Sequence, residues 1–454
     1  MNSTSFSSLK RPAILFPGQG SSWQQALADA AATPVARSRM GQLLNDAQSL
    51  TAAVARPLAS VVPGVVQRIH DAMDADAAHE AIDTLPAVSA PAILLAQIVA
   101  AEDLEQLGLD TSDALSAGHS QGILGAVALD RANGPQAAEK ALAFAFIMGA
   151  AATNVYGAAD SRDRMLSVRG LTPEQVGEFG VDTQAAPISV INGHRHVVLS
   201  GSPEALAQAR KDIEAAASNY NAKLEVEYGG SEITPVFDSL DVAYPFHVET
   251  NAPGVDLAQQ WADACGITFE TTTPRELAQS ILVDRFDFTK VVRDLIAQGA
   301  SHIFTFDTAT ATIVTNLANG SGVAVLDAST AAKRDDLARP GAELPQGVDY
   351  SDYAPRVIAL PDGKKYTQTK FSSLTGLSPI ILGGMTPTSA DGKIVAAAVN
   401  AGYWAELAGG GMYSEEEFGN HTANLKAFLQ PGRTAQFNTC LLYTSDAADE
   451  EDSV

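Results

Sequence analysis

Cysteine is scarce in this chain of 454 residues, which holds only Cys265 and Cys440. These two thiols lie far apart in the sequence and are too few to build a framework of disulfides. Small secreted domains depend on such frameworks, whereas cytoplasmic proteins keep their thiols reduced. We therefore expect a cytoplasmic protein.

Basic residues are also few. The chain has 29 Lys and Arg against 53 Asp and Glu, which gives a formal net charge of −24 at pH 7. Phosphate groups would repel so negative a surface, which argues against nucleic acid or an anionic membrane as a partner. A small acyl substrate meets no such obstacle.

Long apolar runs are missing as well. The stretch Met1–Lys10 is rich in serine and has no apolar centre, and no later apolar run approaches the length of a membrane span. The composition, with 46% apolar and 18% charged residues, is that of a globular protein. A chain of this length has room for about two to four domains, each with its own core.

A short stretch rich in glycine and serine, Ser116–Gly122, organises what is present. An apolar helical run starts at Ile123, so Ser120 is predicted to lie on a sharp strand-to-helix turn of the nucleophile-elbow type. Gly118 and Gly122 suit that turn, because side chains there would collide with the neighbouring backbone. At the start of a helix, free backbone N–H groups stabilise a developing oxyanion. An ordinary loop is the alternative, because G-x-S-x-G also arises by chance.

The residues before the elbow predict an α/β domain. Arg11–Phe16 is predicted to form a buried strand, and Pro17–Trp23 the turn that leads into an alanine-rich helix. Helices are predicted over Ala87–Gln106 and Gln136–Ala152. The turn either presents backbone N–H groups at the edge of a parallel sheet or serves as a simple connector.

The pattern changes between residues 161 and 230, where the order of elements is β-α-β-β-α-β, that of a small ferredoxin-like unit. The predicted strands are Met165–Val168, Ile188–Ile191, Val197–Ser200 and Lys223–Tyr228, and the predicted helices are Thr172–Phe179 and Pro203–Ser218.

After this insert comes Pro245-Phe246-His247. The proline restricts the backbone and the phenylalanine flanks the imidazole with apolar bulk, a suitable setting for a base. A loop histidine without a catalytic role is the alternative, because most histidines have none.

Residues 331–370 carry several prolines and glycines and predict a linker, with one short strand at Val357–Leu360. Before it, strands are predicted at Ile281–Val283, His302–Thr305 and Val323–Leu326. After it, an α/β pattern starts again, with strands at Pro379–Leu382, Tyr403–Leu407 and Ala435–Asn438 and helices at Lys393–Ala401 and Glu415–Leu429. Residues 441–454 break the pattern, and we interpret them as an artefactual tail at the end of a truncated reading frame.

Four stretches occur together in an informative order: Gly18–Ser21, Gly118–Gly122, Asn192–Gly193 with Val197–Gly201, and Pro245–His247. In this order and spacing they resemble the acyl-carrier-protein acyltransferases, over roughly Arg11–Thr330. The resemblance implies a hydrolase-like α/β core with a ferredoxin-like small subdomain. An ordinary α/β-hydrolase would instead require an acidic triad member between its serine and a late histidine.

The resemblance also implies roles for individual residues. Ser120 is similar to the family's nucleophile and His247 to its general base, oriented by a backbone carbonyl that the sequence does not identify. The backbone N–H groups of Gln19 and Gln121 would form the oxyanion hole. His119 and Asn192 are similar to residues that line the site. No metal or cofactor is implied for the transfer.

One departure from the family bears on the substrate. Malonyl-selective members carry an arginine before a glycine in the helix after the nucleophile, and its guanidinium pairs with the malonyl carboxylate. Aligned on Gly149, this position is Met148, which implies an uncharged acyl group such as acetyl. The alternative is that Arg131 or Arg162 serves instead. A second departure is Phe306–Thr308, where many relatives have a Gly-Pro turn, so the resemblance does not define the back of the pocket.

The final part resembles the beginning of the flavin-dependent enoyl reductase of type I fatty acid synthases. The matching stretches are Lys370–Gly376, Gly384–Thr388, Trp404–Gly411 and Ala435–Asn438. In that family this region starts an FMN-binding (β/α) barrel that also uses NADPH.

By that resemblance Gly384, Met385, Thr386 and Asn438 would lie near the flavin. Only the first units of the barrel are present, so it cannot close. We therefore expect residues 371–440 to form an incomplete barrel that holds no FMN.

Together the two resemblances imply the N-terminal piece of a bacterial type I fatty acid synthase. Its transferase would load an acetyl group from acetyl-CoA, through Ser120, onto the phosphopantetheine of an acyl carrier protein domain. The other partners implied are further synthase domains and further copies of the full enzyme, with no nucleic acid or membrane. Three alternatives stay open: a malonyl/palmitoyl transferase, a non-catalytic docking module of the synthase, and an acyl-CoA thioesterase.

Overall fold

The computed structural model describes residues 5–19, 23–74, 84–157, 164–227, 232–240, 242–353, 356–359, 365–375, 377–385, 388–410, 412 and 414–438. The chain divides into two compact units, Met1–Tyr350 and Ser351–Val454. Each unit is described by itself.

The first unit contains nine strands and fourteen helices among its described residues. Its strands are β1 Pro12–Phe16, β2 Leu115–Gly118, β3 Met165–Arg169, β4 Ile188–Gly193, β5 His196–Ser200, β6 Val236–Ser239, β7 Phe286–Asp287, β8 His302–Thr305 and β9 Ala324–Asp327. Its helices are α1 Trp23–Ala30, α2 Pro34–Leu50, α3 Ala55–Val61, α4 Val65–Asp71, α5 Pro86–Gln106, α6 Ile123–Leu129, α7 Ala137–Tyr156, α8 Pro173–Glu178, α9 Pro203–Glu227, α10 Ala252–Cys265, α11 Pro274–Leu282, α12 Phe288–Ala297, α13 Thr308–Ala318 and α14 Ala331–Ala338.

The larger sheet of this unit is parallel and has the strand order β2-β1-β8-β9. Every residue of β1 is buried, because helices cover both faces of the sheet. Ala13 and Leu15 face a core shared with α2, α5, α7 and α10. Ile14 and Phe16 face a second core that includes Phe304 and a residue of α14. The sheet therefore lies between two apolar layers.

Helix α5 corrects the expectation that no apolar run in the chain approaches the length of a membrane span. It has 21 residues and a mean hydropathy of 1.5 in its most apolar window, so it is long and apolar enough to cross a membrane by length and composition alone. However, 89% of that window is buried inside the protein. We therefore interpret α5 as a core helix of the first unit.

The smaller sheet has the order β6-β3-β5-β4-β7. Its first four strands are antiparallel neighbours, and β7 is parallel to β4. Leu166 and Val168 face α8 and α9, and Met165, Ser167 and Arg169 alternate with them, as the period of a strand requires. The predicted β-α-β-β-α-β order is thus observed.

The last predicted strand of this insert is wrong. Lys223 to Glu227 belong to α9, Tyr228 lies outside the described residues, and the strand is β6 instead. Alternating apolar and charged residues suggested a strand, but the helix continues. Asn221 of α9 exchanges two hydrogen bonds with the backbone of Ile233, at 2.9 and 2.8 Å, which ties the chain to the helix before it enters β6.

The strand predicted at Ile281–Val283 is also wrong, because Ile281 and Leu282 form the end of α11. Thr273 and Glu276 start this helix with a reciprocal capping box. The apolar pair that suggested a strand is the buried stripe of an amphipathic helix.

The linker predicted to start at residue 331 starts later in the structure, because the chain up to Tyr350 belongs to the first unit. Arg334 of α14 is only 3% exposed, and its Nε donates to Asp103 at 2.6 Å. Beyond α14, the Pro345 carbonyl lies 3.0 Å from His302 Nε2, and Tyr350 donates its backbone N–H to Gly320. Proline-rich composition therefore hid a segment that packs on the core.

The second unit contains strands β10 Arg356–Ala359, β11 Lys365–Gln368, β12 Ile381–Leu382, β13 Trp404–Ala408 and β14 Gln436–Asn438, and helices α15 Lys370–Thr375, α16 Gly392–Asn400 and α17 Glu415–Phe428. The strands β12, β13 and β14 form a parallel sheet, and a small apolar core lies between it and the helices α16 and α17. The strand predicted at Val357–Leu360 is observed as β10, paired with β11. Residues 441–454 lie outside the described residues.

Candidate active site

Ser120 lies at the carboxyl end of β2, in a short 3-10 turn that runs into α6. Its φ is +51°, a left-handed value that is costly for a residue with a Cβ. The two glycines around it have no space for a side chain. A Cβ on Gly118 would lie 2.0 Å from Gly122 C, and one on Gly122 would lie 2.1 Å from Phe16 O. The predicted strand-to-helix elbow is present.

The glycine turn after β1 lies directly beside the elbow. A Cβ on Gly18 would come within 2.8 Å of His119 O and 3.2 Å of the Ser120 Cβ, and His119 N–H donates to Phe16 O at 2.8 Å. Gln19 and Gln121 both line the cavity next to Ser120. The use of their backbone N–H groups as an oxyanion hole stays a prediction. Gly20 and Ser21 lie outside the described residues.

The imidazole of His247 contacts the hydroxyl of Ser120. Its Nε2 lies 2.7 Å from Ser120 Oγ, and its Nδ1 lies 2.8 Å from the backbone carbonyl oxygen of Asp284. A carbonyl oxygen can only accept, so Nδ1 carries the proton and Nε2 is left to accept the serine O–H. The sequence did not identify Asp284, whose contribution comes from the main chain.

His247 is only 3% exposed, and burial lowers its pKa to about 4, although the bond to Asp284 O opposes that shift. The imidazole is therefore neutral at pH 7, which is the state that a general base requires. The residue has φ +59°, so His247, like Ser120, has strained backbone.

His119 and Asn192 lie together in the same site. His119 Nε2 is 2.8 Å from Asn192 Oδ1, and the rings of Phe286 and Phe288 approach the imidazole edge-on with centroids 5.2 and 4.5 Å away. Burial lowers the pKa of His119, so it adds no positive charge to the site at neutral pH. Sequence reasoning missed both phenylalanines: Phe286 lies in β7, a strand of only two residues, and Phe288 is the first residue of α12.

A cavity of about 590 Å³ opens beside Ser120. Its walls combine the elbow, the turn after β1, the first turns of α13 and the face of the small sheet that does not pack on α8 and α9. The apolar lining residues include Met165, Val190, Val198, Leu240, Val242, Phe246 and Ile281. The polar ones include Ser167, Asn192, His196, Asp307 and Thr310.

The cationic side chain on this wall is Arg169, and Asp238 lies beside it. Arg169 Nη2 is 2.6 Å from Asp238 Oδ2, and the two side chains are 52% and 54% exposed. Both line the cavity. Next to them His196 Nε2 lies 2.9 Å from Ser167 Oγ, and burial, with the charge of Arg169, lowers the pKa of His196 to about 4. The alternation of Met165, Ser167 and Arg169 along β3 is the sequence signal that could have predicted this wall.

The structure does not place Met148 in this cavity. The residue is fully buried in α7 within the main core and does not line the wall. Arg131, one alternative to Met148, lies 3.4 Å from Thr111 and does not line the cavity. The other alternative, Arg162, lies outside the described residues. None of the α7 residues Ala137–Tyr156 lines the cavity, so alignment on Gly149 did not find a residue of its wall.

In the second unit, Gly384 and Asn438 lie close together at the ends of β12 and β14. Gly384 donates its backbone N–H to Glu406 Oε2 at 2.8 Å, and a Cβ on Gly384 would lie 3.2 Å from Asn438 Nδ2. Met385 is exposed, and Thr386 lies outside the described residues. Among the residues described in either unit, no group of His, Cys, Asp and Glu could hold a metal ion.

The first unit has the acyl-carrier-protein transacylase fold, in which a parallel sheet is joined to a small, mostly antiparallel subdomain. Its Ser-His pair, held by a backbone carbonyl, lies at the strand ends of the parallel sheet. Solved structures show the same fold. A malonyl-transacylase in complex with its type II PKS acyl-carrier protein matches 72% of this chain and 99% of its own, with a TM-score of 0.52 and 18% identity. The MCAT of Mycobacterium tuberculosis matches 73% of this chain and 100% of its own, with a TM-score of 0.50 and 19% identity.

Two of the curated relatives are fatty acid synthase β subunits from fungi. The fatty acid synthase β subunit TOXC of Cochliobolus carbonum is 27% identical over 397 residues, 73% of this chain, and the β subunit of Saccharomyces cerevisiae is 27% identical over 386 residues, 72% of this chain. This chain spans 19% of the length of each. Residues 164–239, which include β3 to β6, match the family described as fatty acid synthase central AT domain. Over these residues the chain is similar to fatty acid synthase β subunits.

Proposed function

We propose that this protein transfers an acyl group from a coenzyme A thioester to the phosphopantetheine thiol of an acyl carrier protein domain during fatty acid synthesis. One observation carries the proposal: the continuous chain of contacts from Ser120 Oγ through both nitrogens of His247 to Asp284 O. Such a chain activates a serine for attack on an acyl carbon.

In the first half-reaction, Ser120 Oγ attacks the thioester carbonyl carbon while its proton passes to His247 Nε2. The tetrahedral adduct collapses as the C–S bond breaks, and the leaving thiolate takes the proton from Nε2. An ester on Ser120 and free coenzyme A result. In the second half-reaction, the carrier thiol gives its proton to Nε2 and attacks the ester carbon. Ser120 leaves with that proton, which restores the enzyme.

Main-chain groups explain why Ser120 and His247 can work without an acidic side chain. Asp284 O holds the Nδ1 proton in place, and it steadies the imidazolium that forms during each proton transfer. The N–H groups of Gln19 and Gln121 are our candidates for stabilising the oxyanion.

Within the proposal, we infer that acetyl or another uncharged acyl group is preferred. Met148 lies outside the cavity and plays no part in this preference. Of the described residues that line the cavity, Arg169 is the one with a fixed positive charge, and Asp238 already pairs with it, while burial holds the pKa values of His119, His196 and His247 low. A malonyl carboxylate would therefore lose its hydration without gaining a free cationic partner.

Relatives support the partners that we propose. A solved transacylase of the same fold forms a complex with its acyl-carrier protein, and the curated relatives are fatty acid synthase β subunits. We propose a carrier domain and further synthase domains as partners here, in an oligomeric enzyme of the cytoplasm. A bacterial type I synthase as the parent enzyme remains a proposal, since the matching subunits come from fungi.

The described residues of the second unit do not fit FMN. The N–H of Gly384, which would face a flavin, is already bound by the carboxylate of Glu406, and this charge would repel an anionic ligand. The described strands β12 to β14 form an open three-stranded sheet. We therefore propose no flavin chemistry for this chain.

The test is intact-mass spectrometry of the full chain, mixed briefly with acetyl-CoA or with malonyl-CoA. We expect an acetyl adduct that is absent in Ser120→Ala and present in Ser116→Ala, a matched control in the strand before the elbow. Addition of a phosphopantetheine-bearing carrier protein should then remove the adduct and acetylate the carrier.

Each alternative has its own outcome in this experiment. A malonyl adduct of equal or greater yield would overturn the acyl preference and keep the transferase. Loss of the adduct to water at the same rate with and without carrier would indicate a thioesterase. No adduct from either thioester would indicate a docking module.

A further inference from the structure

Asn251 is a buried polar residue for which the catalytic account gives no role. It is 1% exposed and lies at the start of α10, in the N-cap position. An asparagine in that position usually accepts a hydrogen bond from the first turn of its helix. Asn251 makes no such bond. Its side chain must therefore be explained by something other than helix capping.

The side-chain amide instead bridges two other segments of backbone. Asn251 Nδ2 donates to Pro245 O at 2.8 Å and to Leu282 O at 2.9 Å. Both bonds are buried, so neither carbonyl could replace its partner with solvent at low cost. One amide group thus uses both of its protons to tie the chain before α10 to the end of α11.

Each of the two bridged carbonyls lies two residues before a group of the proposed base, which consists of His247 and the carbonyl that orients it. Pro245 precedes His247 by two residues, and Leu282 precedes Asp284 by two residues. Asp284 O is the acceptor that holds His247 Nδ1 at 2.8 Å. The Asn251 bridge therefore sets the separation between the imidazole and the carbonyl that orients it.

Neighbouring contacts support the same turn. Val248 N–H donates to Leu282 O at 3.1 Å, and Ser200 Oγ lies 3.1 Å from Phe246 O. His247 has φ +59°. Strained backbone of this kind persists only where the surroundings determine it fully. Asn251 is the side chain that links this turn to the segment with Asp284.

We propose that Asn251 is a positioning residue for the general base: it holds the His247 turn against the Asp284 segment, so that Nε2 is aimed at Ser120 Oγ. This inference rests on the proposed role of His247 as the base. Removal of the bridge lets the imidazole swing, which slows proton transfer in both half-reactions. Binding of the thioester is unaffected, because Asn251 does not line the cavity.

The experiment compares Asn251→Ala and Asn251→Asp with a matched control, Asn133→Ala. Asn133 is also an asparagine, 3% exposed, whose side chain joins separate segments by bonding Val127 O and the N–H groups of Glu270 and Thr271. None of these bonds involves Ser120 or His247. The full chain is used throughout, and thermal unfolding is recorded for each variant.

Two reactions at Ser120 are followed. The first is single-turnover acylation by acetyl-CoA, measured over a range of concentrations. The second is labelling by a fluorophosphonate, a probe that reads the activation of a serine whatever its natural substrate. For Asn251→Ala we expect both maximal rates to fall by about 10²-fold, since a shift of about 1 Å at the reacting groups has that effect. The acetyl-CoA concentration for half-maximal rate should not change.

The aspartate variant adds a signature that a merely structural role would not produce. Its carboxylate has no proton to donate and faces two carbonyl oxygens, so both rates should be low at pH 7. As the pH falls toward 5, the carboxyl takes up a proton and can donate to one of the carbonyls. The rates of Asn251→Asp should then recover in part, whereas those of Asn251→Ala should not.

Wild-type maximal rates in correctly folded Asn251→Ala would overturn the proposal. So would an equal loss of rate in Asn133→Ala at an equal loss of thermal stability, because the effect would then be one of general stability. Failure of the transferase proposal is separate: a wild-type protein that reacts with the fluorophosphonate but not with acetyl-CoA would overturn that function, and the fluorophosphonate rates would still decide the role of Asn251.

Discussion

Ser120 and His247 lie 127 positions apart in the sequence, yet Ser120 Oγ and His247 Nε2 are 2.7 Å apart in the fold. They share a second property. Among the described residues other than glycine, these two have a positive φ, at +51° and +59°. Strained backbone of this kind persists where it is useful and firmly held. Both members of the pair are thus presented on sharp turns that aim their side chains into one cavity.

The strain at Ser120 can be measured apart from its chemistry. Ser120→Gly and Ser120→Ala both remove the hydroxyl, but only glycine adopts a left-handed backbone without a steric cost. We expect the glycine variant to be more stable than the alanine variant by about 1 kcal/mol. Denaturant unfolding of the two proteins checks this difference. An alanine variant as stable as the glycine variant would show that the turn stores no strain.

Gly122 offers the sharpest test of the elbow packing. A Cβ there would lie 2.1 Å from Phe16 O and 2.8 Å from Pro17 O, and these backbone atoms cannot move without shifting β1. Gly122→Ala should therefore destabilise the protein by about 3 kcal/mol or more, or prevent folding.

The matched control for that substitution is Gly41→Ala. Gly41 lies inside α2, and a Cβ on it meets nothing within 4 Å. Because alanine favours a helix over glycine, this variant should gain up to about 1 kcal/mol. Thermal unfolding of both variants is the measurement, and equal effects would contradict the packing argument.

The pKa of His247, lowered to about 4 by burial, predicts an unusual pH profile. An imidazole with an ordinary pKa near 6.5 would be about one-tenth neutral at pH 5.5. We expect the rate of Ser120 acylation to stay close to its pH 7 value at pH 5.5 and to fall only as the pH approaches 4. A loss of rate centred near pH 6.5 would show that the base is not buried as described.

The same shift predicts how stability depends on pH. The unfolded chain takes up a proton on this histidine near pH 6.5, but the folded protein does so only near pH 4. The fold is therefore fully stable with respect to this group above pH 6.5, and it loses up to about 3 kcal/mol as the pH falls through that window. Unfolding free energies at pH 7 and 4.5 should differ more in the wild type than in His247→Gln.

The sequence was most informative where local geometry alone determines the residue types. Gly118 and Gly122 are required by close backbone contacts within a few residues of Ser120, so a short motif reveals the elbow. The Pro-Phe pair before His247 works in the same way. The carbonyl of Asp284 could not be found, because every residue has a carbonyl and only the tertiary fold selects one.

Met148 shows a second limit. Helix α7 is buried almost all round, from Ala141 to Thr153, and none of its residues lines the cavity. A match to one glycine therefore does not show which helix reaches the site. The strand predicted over residues 223–228 failed for a related reason, since a short alternation of apolar and charged residues also fits the last turns of a long helix.

The cavity wall provides a test of the acyl preference. Asp238→Asn removes the charge that pairs with Arg169 and leaves a free guanidinium facing the cavity. We expect the yield of malonyl adduct relative to acetyl adduct to rise by about 3- to 10-fold, since a partly exposed charge pair contributes about 1 kcal/mol.

A matched control for this change is Asp256→Asn, which breaks the exposed pair between Arg275 and Asp256 away from the cavity. Its malonyl-to-acetyl ratio should not change. Adduct yields by mass spectrometry decide the matter. An unchanged ratio in Asp238→Asn would mean that Arg169 does not reach the acyl group.

The end of the first unit can be tested at Arg334. Its guanidinium is 3% exposed, pairs with Asp103 at 2.6 Å and donates to Ala328 O at 3.0 Å, so α14 is fixed to α5 by a buried charge. Arg334→Met should leave Asp103 without its partner and lower stability by about 2 to 3 kcal/mol, given that Asp103 is partly exposed.

Arg339, which is 69% exposed and lies 3.8 Å from Asp336, gives the control variant Arg339→Met, with an expected change of less than about 0.5 kcal/mol. Urea unfolding of both variants compares the two values. If Arg334→Met were as stable as the control, residues 331–350 would act as the linker that composition suggested, whereas the expected loss would make them the final packed segment of the first unit.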